Sequence, residues 1–548
     1  MKRFLVFLMI FVAASCSKTE ESPYMKLAQQ KFDVSADGET VSLELSANVR
    51  YSVINDMEWA ELKEVSSQGG TTVYSLTLSA NSVTEQRVGT VRFIGERVTP
   101  LKVTVTQREF VPTGIDVTAL NVTFDATSVV LNVYGEKNWT VSVDNSAFVP
   151  SVTSGSGNGS ISLTFPENTT FSPVVANVTV TMGGVDYACV VTQGAAPSPD
   201  NPVDLSAQGT ANCYIVSQRG YYKFRAGVRG NGVEVTSTPE IDADITPARA
   251  SVLWATFNTG TAPESANAII KDVTLRDGYV VFGTEMTRLV YGNAIIAVYD
   301  NNGAILWTWH IWVRPAEKTV SCGDTQWLDY NLGALSDVIS ETSVNNFLAV
   351  GFYYQWGRKD PLLSITGEVY GGSHSEIAVA GTQFPAKETV SDKSTVGYSI
   401  ANPQSHFLTE DKNHNLCDWV WLPNGNMEDH KNDLWGGTGA AKTSKTMYDP
   451  CPVGYSVPSA KQVDALKSAN FAKRPASVFY VGDEAFKFVF TGGLSGRNNL
   501  GYLYFDATHY FTSDVSGSSG KTFKFTTSIS YAGTIQRSFA FPIRCVKE

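Results

Sequence analysis

Residues 294–313 read AIIAVYDNNGAILWTWHIWV, two apolar runs that flank the polar stretch Asp300-Asn301-Asn302-Gly303. Asn-Gly between two such runs is the strongest short-range signal for a β-hairpin, because both central turn residues must accept a positive φ. A two-residue turn at Asn302-Gly303 places Asn301 opposite Ala304 and so fixes the register of the two strands. The sequence therefore predicts a hairpin with two defined faces.

This register divides the apolar side chains of the hairpin between two faces. The first face is a continuous core surface that carries Ile296, Val298, Trp307, Trp309 and Ile311. The second face carries Tyr299, Leu306, His310 and Trp312. It is too apolar to be freely solvated, so we expect it to pack against the next domain, with a bound ligand as the alternative. The hairpin belongs to a β-sandwich domain predicted at residues 204–316.

Upstream of this domain, the chain contains two copies of one unit. Tyr51 in RYSVINDMEWAEL aligns with Trp139 in NWTVSVDNSAFVP, and VTVTQ at 103–107 aligns with CVVTQ at 189–193. Each copy offers several short alternating runs that are broken by Gly, Asn, Ser and Asp. This pattern is typical of a small β-sandwich.

Each copy has an aromatic pair, Tyr51 with Trp59 and Trp139 with Phe148. These pairs and the closing V-T-V-T-Q resemble BACON domains, immunoglobulin-like modules of Bacteroidetes surface proteins. The resemblance covers residues 25–110 and 111–196 and implies two immunoglobulin-like β-sandwiches. The family was named for carbohydrate binding. Neither copy shows a cluster of aromatic residues and carboxylates that would form a sugar platform, so we expect both to act as spacers.

The first twenty residues, MKRFLVFLMIFVAASCSKTE, have the order of a secretory signal: two basic residues, an apolar run, and small residues ending in Cys16. The apolar run is too short to span a bilayer. Residues 12–16 resemble the lipobox of bacterial lipoproteins, which implies removal of residues 1–15 and acylation of the Cys16 thiol. The alternative is an ordinary signal peptide with an incidental cysteine.

Residues 16–24 are polar and acidic and form a predicted tether. Glu20 and Glu21 resemble the acidic signal that exports some lipoproteins to the cell surface. The expected location is therefore the outer membrane, with a lipid anchor and the protein facing the cell exterior. The net charge of −11 argues against nucleic acid as a partner.

The C-terminal part carries five blocks, WLDYNL at 327–332, GFYYQWG at 351–357, DPCPVGYSVP at 449–458, HYFTS at 509–513 and FPIRCV at 541–546. In this order they resemble the Fibrobacter major paralogous domain, whose fold is C-type-lectin-like or formylglycine-generating-enzyme-like. The resemblance implies an α+β C-type-lectin-like domain over 317–548, with a disulfide between Cys451 and Cys545. The whole chain is thus expected to be mainly β and multidomain.

Besides Cys16, Cys451 and Cys545, the sequence has four cysteines. Cys189 aligns with Val103 of the first copy, so we expect it to be a buried core thiol. Cys213, Cys322 and Cys417 are an odd number, so at least one is free or pairs outside this set. A Cys322–Cys417 bridge is the preferred pairing.

The sequence lacks the motifs of common hydrolases, both the His-Glu-x-x-His zinc helix and the Gly-x-Ser-x-Gly elbow, and it has six histidines in all. We therefore predict no enzyme, no catalytic residue and no cofactor.

Asp411, Asn413 and Asn415 have the spacing that opens a calcium loop, but Leu416 replaces the required Gly and Leu422 the terminal acid.

A zinc site is the other metal hypothesis for this region. His414, Cys417 and His430 offer suitable ligand atoms, but a fourth ligand is missing. We therefore predict no metal site and expect a polar surface loop.

Two stretches combine tryptophan with acidic or amide side chains: Asp418-Trp419-Val420-Trp421, and residues 432–437 with Asp433 and Trp435. An indole ring supplies apolar area for a pyranose face, while Asp and Asn bind the sugar hydroxyls. The candidate ligand-binding residues are therefore Trp419, Trp421, Trp435, Asp418 and Asp433. The alternative is that these tryptophans belong to the core.

These observations predict a lipid-anchored surface protein that binds a glycan, or a host or cell-surface ligand, through its C-terminal domain. Other envelope proteins are further candidate partners, and the membrane is reached through the lipid anchor. The first alternative is a structural or tip subunit of a surface appendage. The second is a carbohydrate-active enzyme, whose paired carboxylates would meet only in the folded chain.

Overall fold

The structure, a computed structural model, describes residues 22–258, 269–336, 347–363, 377–381, 386–409, 418–423, 426, 429–440, 443–467, 471–474, 478–481, 486–489, 492–497, 502–503, 507–526 and 532–548. Cys16 and the predicted signal peptide lie outside these residues. Contacts divide the chain into two compact units. The first comprises the residues up to Glu167 together with Val174–Gln193, and the second comprises Asn168–Pro173 and Gly194–Glu548.

The first unit begins with a sandwich of two four-stranded sheets. Its strands are β1 (Met25–Leu27), β2 (Lys31–Val34), β3 (Thr40–Ala47), β4 (Tyr51–Asn55), β5 (Ala60–Gln68), β6 (Thr71–Leu78), β7 (Arg87–Gly95) and β8 (Leu101–Gln107). The sheets have the orders β1-β3-β6-β5 and β2-β8-β7-β4. Alternate side chains point inward, as the period of a strand requires, and bury Leu43, Leu45, Leu76 and Val91.

A second sandwich follows with the same strand order. Its strands are β9 (Gly114–Ile115), β10 (Ala119–Val122), β11 (Ser128–Tyr134), β12 (Asn138–Val143), β13 (Val149–Pro150), β14 (Ser154–Ser156), β15 (Gly159–Thr164), β16 (Val174–Met182) and β17 (Val185–Gln193). The orders β9-β11-β15-β13 and β10-β17-β16-β12 repeat those of the first sandwich, and β14 extends the second sheet beyond β12. Trp139 and Cys189 lie in its core, and Cys189 is a buried free thiol as expected.

Both sandwiches use the same polar anchors. Gln107 Nε2 donates to three backbone carbonyl oxygens at 3.0–3.3 Å, and Gln193 Nε2 donates to three at 3.0 Å. Asp56 and Asp144 each accept two hydrogen bonds of 2.6–2.7 Å from the backbone and side chain of one residue on the neighbouring strand. Buried polar groups need such partners, so the repeated Gln that closes V-T-Q has a structural reason.

The described residues of the second unit begin with eight strands. They are β18 (Val203–Asp204), β19 (Cys213–Val216), β20 (Tyr221–Arg225), β21 (Arg249–Asn258), β22 (Lys271–Arg276), β23 (Tyr279–Gly283), β24 (Gly292–Tyr299) and β25 (Ile305–Val313). One sheet has the order β18-β20-β23-β22. The other has the order β19-β25-β24-β21, and Ile377–Gly381 from the C-terminal part adds a fifth strand beside β21.

The hairpin predicted at 294–313 is confirmed. β24 and β25 are antiparallel, with Ile296 opposite Trp309 and Val298 opposite Trp307. These four side chains are buried in one continuous core. The predicted core face of the hairpin is therefore also confirmed.

The turn of this hairpin differs from the prediction. The Gly303 N–H donates to the Asp300 carbonyl at 3.2 Å, and of the turn residues only Gly303 has a positive φ, of 88°. Asn301 and Asn302 therefore form the centre of the turn, with Gly303 after it. A bulge beside Tyr299 restores the predicted register, which is why the faces are correct although the turn is not.

The second face of the hairpin packs against residues of the C-terminal part. The Trp312 indole N–H donates to the Ala334 carbonyl at 2.9 Å. The His310 and Phe352 rings meet edge to face, with centroids 5.3 Å apart. This face is covered by protein in the way that its apolar composition led us to expect.

The C-terminal part consists of small sheets and short helices. Its elements are β26 (Thr319–Cys322), β27 (Thr325–Leu328), α1 (Phe347–Val350), β28 (Tyr354–Gln355), β29 (Ile377–Gly381), β30 (Ala386–Thr389), α2 (Val396–Ala401), β31 (Ser405–Leu408), β32 (Tyr455–Ser456), α3 (Ala460–Lys467), β33 (Phe471–Arg474), β34 (Val478–Val481), β35 (Phe486–Val489), β36 (Gly493–Leu494), β37 (Tyr502–Leu503), β38 (Ala507–Ser516), β39 (Ser519–Thr526), β40 (Ala532–Gln536), β41 (Ala540–Phe541) and β42 (Val546–Lys547). Besides the strand beside β21, the sheets are β26-β27-β42-β32, β28-β41-β36-β37, β30-β31, β33-β34-β35 and β38-β39-β40. None of the helices in the described ranges is long and apolar enough to cross a membrane. The C-type-lectin-like assignment stays a prediction.

Helix α3 is capped at its start by Ser459. Ser459 Oγ accepts the Gln462 backbone N–H at 3.2 Å, and Gln462 Oε1 accepts the Ser459 N–H at 2.8 Å. This reciprocal pair is a capping box, and it satisfies two N–H groups at the start of the helix.

One predicted disulfide is present and the other is not. Cys451 and Cys545 are bonded, which confirms the pairing implied by the resemblance. They lie 94 residues apart, and a loop of that length stabilises the fold by about 4–5 kcal/mol in the chain-entropy model. Cys322 is a buried free thiol, so the expected bridge to Cys417, which lies outside the described residues, is wrong.

Three histidines of the second unit are buried in a neutral form. Burial lowers the pKa of His310 and of His406 to about 3 and that of His509 to about 4. In the unfolded chain each ring regains its ordinary pKa of about 6.5. As the pH falls below that value, protons therefore bind the unfolded state in preference to the folded state, and the free energy of unfolding decreases.

We expect the free energy of unfolding of the second unit to fall by about 4 kcal/mol between pH 7.5 and pH 5.0. Three histidines act in this direction, and Asp449, whose pKa burial raises to about 6, opposes them by taking up one proton in the folded state. Urea unfolding followed by tryptophan fluorescence measures the change. His509→Asn should reduce this pH-dependent change by about 2 kcal/mol, close to half of it. Equal stability at both pH values would contradict this reading.

Candidate functional site

The tryptophans predicted to form a binding surface divide into core and surface residues. Trp419 and Trp435 are 1% and 0% exposed, and their indole N–H groups donate to the carbonyls of Trp356 and Tyr448. Their rings offer no face to a ligand in this structure, so the core alternative holds for both. Trp421 is 37% exposed and remains accessible.

Asp418, the first predicted polar partner, is buried among charges. Its carboxylate accepts from His430 Nδ1 at 2.7 Å and lies 3.5 Å from Arg537 Nη1. The Arg537 guanidinium in turn stacks on the Trp356 ring at 4.6 Å. The Asp418 carboxylate is therefore paired within the protein and is not exposed to a sugar.

Asp433, the second predicted polar partner, joins two segments of the second unit. Its carboxylate accepts from Thr236 Oγ1 at 2.9 Å, from the Ser237 N–H at 3.1 Å and from Ser237 Oγ. Its oxygens are therefore used within the protein. The structure does not bring Asp418, Asp433 and the three tryptophans together as one accessible surface.

The metal hypotheses concern residues that mostly lie outside the described ranges, namely Asp411, Asn413, His414, Asn415, Leu416 and Cys417. Of the zinc candidates, His430 is described, and it pairs with Asp418. In the part of the chain that the structure describes, no three His, Cys, Asp or Glu side chains are grouped as metal ligands.

A groove elsewhere in the second unit is the better candidate site. It encloses about 250 Å³ and is lined by Asp204, Leu205, Ala207, Gln208, Tyr214, Ile215, Glu317, Pro452, Val453 and Tyr455. Two carboxylates, an amide and two phenols stand among apolar side chains. Sites for drug-sized ligands enclose roughly 300–1,000 Å³, so this groove suits one small ring. We call it the Asp204–Glu317 groove.

One wall of the groove, residues 452–455, is held from behind by Lys445. Lys445 Nζ donates to the carbonyls of Cys451 at 3.1 Å and Pro452 at 2.7 Å, and also to that of Tyr455. It pairs with Glu548 at 3.3 Å as well. One ammonium group thereby satisfies several carbonyls of the same short loop.

Three further constraints fix this wall. The Asp449 carboxylate accepts the N–H groups of Cys451 and Val457, both at 2.8 Å. The Cys451–Cys545 disulfide ties the loop to the end of the chain. Gly454 has a φ of 76°, which an L side chain rarely adopts.

The opposite wall is a turn that begins at Asp204. Asp204 Oδ1 accepts the Ser206 N–H at 2.8 Å and its hydroxyl at 2.6 Å. Ser206 Oγ also accepts the Arg225 N–H at 3.1 Å, which links the turn to β20. Both walls therefore keep their shape without a ligand, which reduces the entropic cost of binding.

Two tyrosines complete the groove. Tyr214 is buried, and burial raises the pKa of its phenol well above the usual value. Burial also raises the pKa of Tyr455, and the nearby Glu317 carboxylate adds to this effect. Both phenols are therefore neutral at physiological pH, and because both side chains are almost fully buried they form the floor of the groove.

Sequence reasoning did not identify this groove. Its walls come from residues 204–215 and 452–455, which lie more than two hundred positions apart. They meet at a backbone β-bridge between Cys213 and Pro452. Residues 452–455 belong to the DPCPVGYSVP block at 449–458, whereas residues 204–215 lie at the start of the domain predicted at 204–316. No feature of either stretch indicates that they meet.

Comparison with known proteins gives one family match. Residues 46–108 match the family described as "BACON: Putative binding domain, N-terminal". The match runs from the end of β3 through β8, within the first sandwich. Curated proteins gave no match to the sequence.

Solved structures give distant likenesses. The titin I-band fragment I67–I69 is 8% identical, covers 54% of this chain and 100% of its own, and has a TM-score of 0.20. A GH5 xyloglucanase of Bacteroides ovatus, in complex with a XXXG heptasaccharide, is 22% identical over 25% of this chain and 32% of its own, with a TM-score of 0.16. Cadherin domains 1–4 of protocadherin gamma B7 are 11% identical over 54% and 76%, with a TM-score of 0.23. At TM-scores this low, the superpositions support no inference about this chain.

Proposed function

We propose that this protein is a lipid-anchored binding protein of the outer cell surface, and that the Asp204–Glu317 groove takes one sugar unit of a glycan. The observation that carries the proposal is the groove itself, a preformed cleft of about 250 Å³ with acids, an amide and phenols among apolar walls. Carboxylate and amide oxygens accept from sugar hydroxyls, and the aliphatic side chains of the lining pack on the apolar ring face.

The two sandwiches serve as spacers in this proposal. The family match at 46–108 supports a BACON-like first sandwich. For residues 111–196, the support is the repeated strand order and the shared anchors Gln107 and Gln193. The described residues of neither sandwich line the groove.

Filling the groove tests the site. Ala207 is exposed and lines the groove, so Ala207→Trp should occupy it without disturbing the core. On a glycan array we expect the wild-type mature protein to bind and Ala207→Trp to lose at least about tenfold in affinity, because the added ring excludes the sugar. Ala147→Trp, at an exposed alanine of the second sandwich, is the matched control and should bind like wild type.

Trp421→Ala separates the groove from the accessible tryptophan that the sequence singled out. If Trp421→Ala abolishes binding and Ala207→Trp leaves it intact, the groove is not the site. Absence of glycan binding together with co-purification of a polymeric partner would favour an appendage subunit instead.

The lipid anchor rests on the lipobox resemblance at residues 12–16 and is tested separately. Cells fed an alkyne analogue of palmitate should tag the wild-type protein, because the Cys16 thiol is the acceptor. Cys16→Ser should be untagged and absent from the membrane fraction. Cys189→Ser, which alters a buried core thiol, is the control and should keep the tag. A Cys16→Ser protein that stays tagged and membrane-bound would refute the anchor.

A further inference from the structure

We infer that the Asp204–Glu317 groove selects neutral sugars over anionic ones, and that Asp204 and Glu317 are the residues that determine this selectivity. The inference rests on the proposed function and narrows it to a substrate class. It excludes glycans whose bound unit carries a uronate, a sialic acid carboxylate or a sulfate.

The charge of the lining is the first observation. Asp204 and Glu317 are acidic, and none of the residues that line the groove is basic. Asp204 Oδ1 is held in place by two hydrogen bonds from Ser206, so this carboxylate cannot swing out of the groove without breaking them. An anionic ligand would therefore meet a fixed like charge.

No basic side chain of the described residues lines the groove. Arg314 forms two hydrogen bonds of 2.7 and 2.8 Å with the Asp329 carboxylate. Lys445 is bound to backbone carbonyls and to Glu548. The basic residues that adjoin lining residues in the chain or in a sheet are outside the lining as well, namely Lys223, Arg225, Lys318 and Lys547.

Hydrogen bonding acts in the same direction as charge. A carboxylate accepts hydrogen bonds and has no proton to donate. Neutral sugar hydroxyls can donate to Asp204 and Glu317, whereas an ionised carboxylate or sulfate on the sugar offers acceptors alone. Placing such a group beside Asp204 or Glu317 sets one anionic acceptor against another, and a site discriminates strongly against a ligand group that it repels or leaves unpaired.

The test is a glycan array in which neutral glycans stand beside sulfated or uronic-acid versions of the same backbone, including oligogalacturonates and their methyl esters. The wild-type mature protein should bind the neutral member of each bound pair at least about fivefold more tightly at low salt. Raising NaCl from 0.05 to 0.5 M should lower the ratio of neutral to anionic affinity towards one, because salt screens the charges of the carboxylates.

Asp204→Asn combined with Glu317→Gln removes both charges and keeps the acceptor oxygens. The ratio of the affinity for the neutral glycan to that for the anionic glycan should therefore fall to a value between about 1 and about 2. The matched control, Asp200→Asn with Glu240→Gln, removes two exposed acids that do not line the groove and should leave the ratio unchanged. Equal or tighter binding of the anionic members by wild type, or unchanged selectivity in the Asp204/Glu317 variant, would overturn the inference and leave the proposed function standing. Failure of the wild type to bind any glycan would overturn both.

Discussion

The second unit depends on one buried side chain, the amide of Asn212. Its Oδ1 accepts the Trp307 indole N–H at 2.8 Å, and its Nδ2 donates to the carbonyls of Met447 at 2.7 Å and Asp449 at 2.8 Å. Asn212 is 3% exposed, so removal of its amide would leave these three groups without a hydrogen-bond partner and without access to water. One amide thus joins the tryptophan hairpin to the segment that carries the groove wall.

This junction explains why the groove has a fixed shape. The hairpin packs on both faces, against its own sandwich through Trp309 and against the C-terminal part through Trp312. Asn212 fixes residues 447–449 through its two backbone hydrogen bonds. Asp449 and Lys445 in turn bind the backbone of the loop that lines the groove. A buried polar network with all its members satisfied favours one arrangement over others, which is the property a preformed binding site requires.

Local patterns of the sequence predicted much of this fold. Alternation and the Asn-Gly pair were sufficient for the hairpin and its faces, and the repeated V-T-Q endings were sufficient for two similar sandwiches. The predicted turn at Asn302-Gly303 is wrong because the chain turns at Asn301-Asn302 and a bulge beside Tyr299 restores the register. The turn propensities of Asn and Gly do not distinguish these two arrangements. Trp419 and Trp435 were misassigned because an aromatic residue next to an acid has the same pattern in a binding loop and in a core with a buried ion pair. The groove depends on contacts between distant segments, which no local pattern encodes.

Hydrogen exchange of an Asn212→Ala variant tests most directly whether this amide unites the second unit. The account predicts faster exchange in β24 and β25 and in residues 447–457 alike, with a loss of about 3 kcal/mol in unfolding free energy, because three buried groups lose their partners. Asn302→Ala, in the exposed turn of the same hairpin, should leave both regions protected. Loss of protection in one region alone, or a change below about 0.5 kcal/mol, would contradict the account.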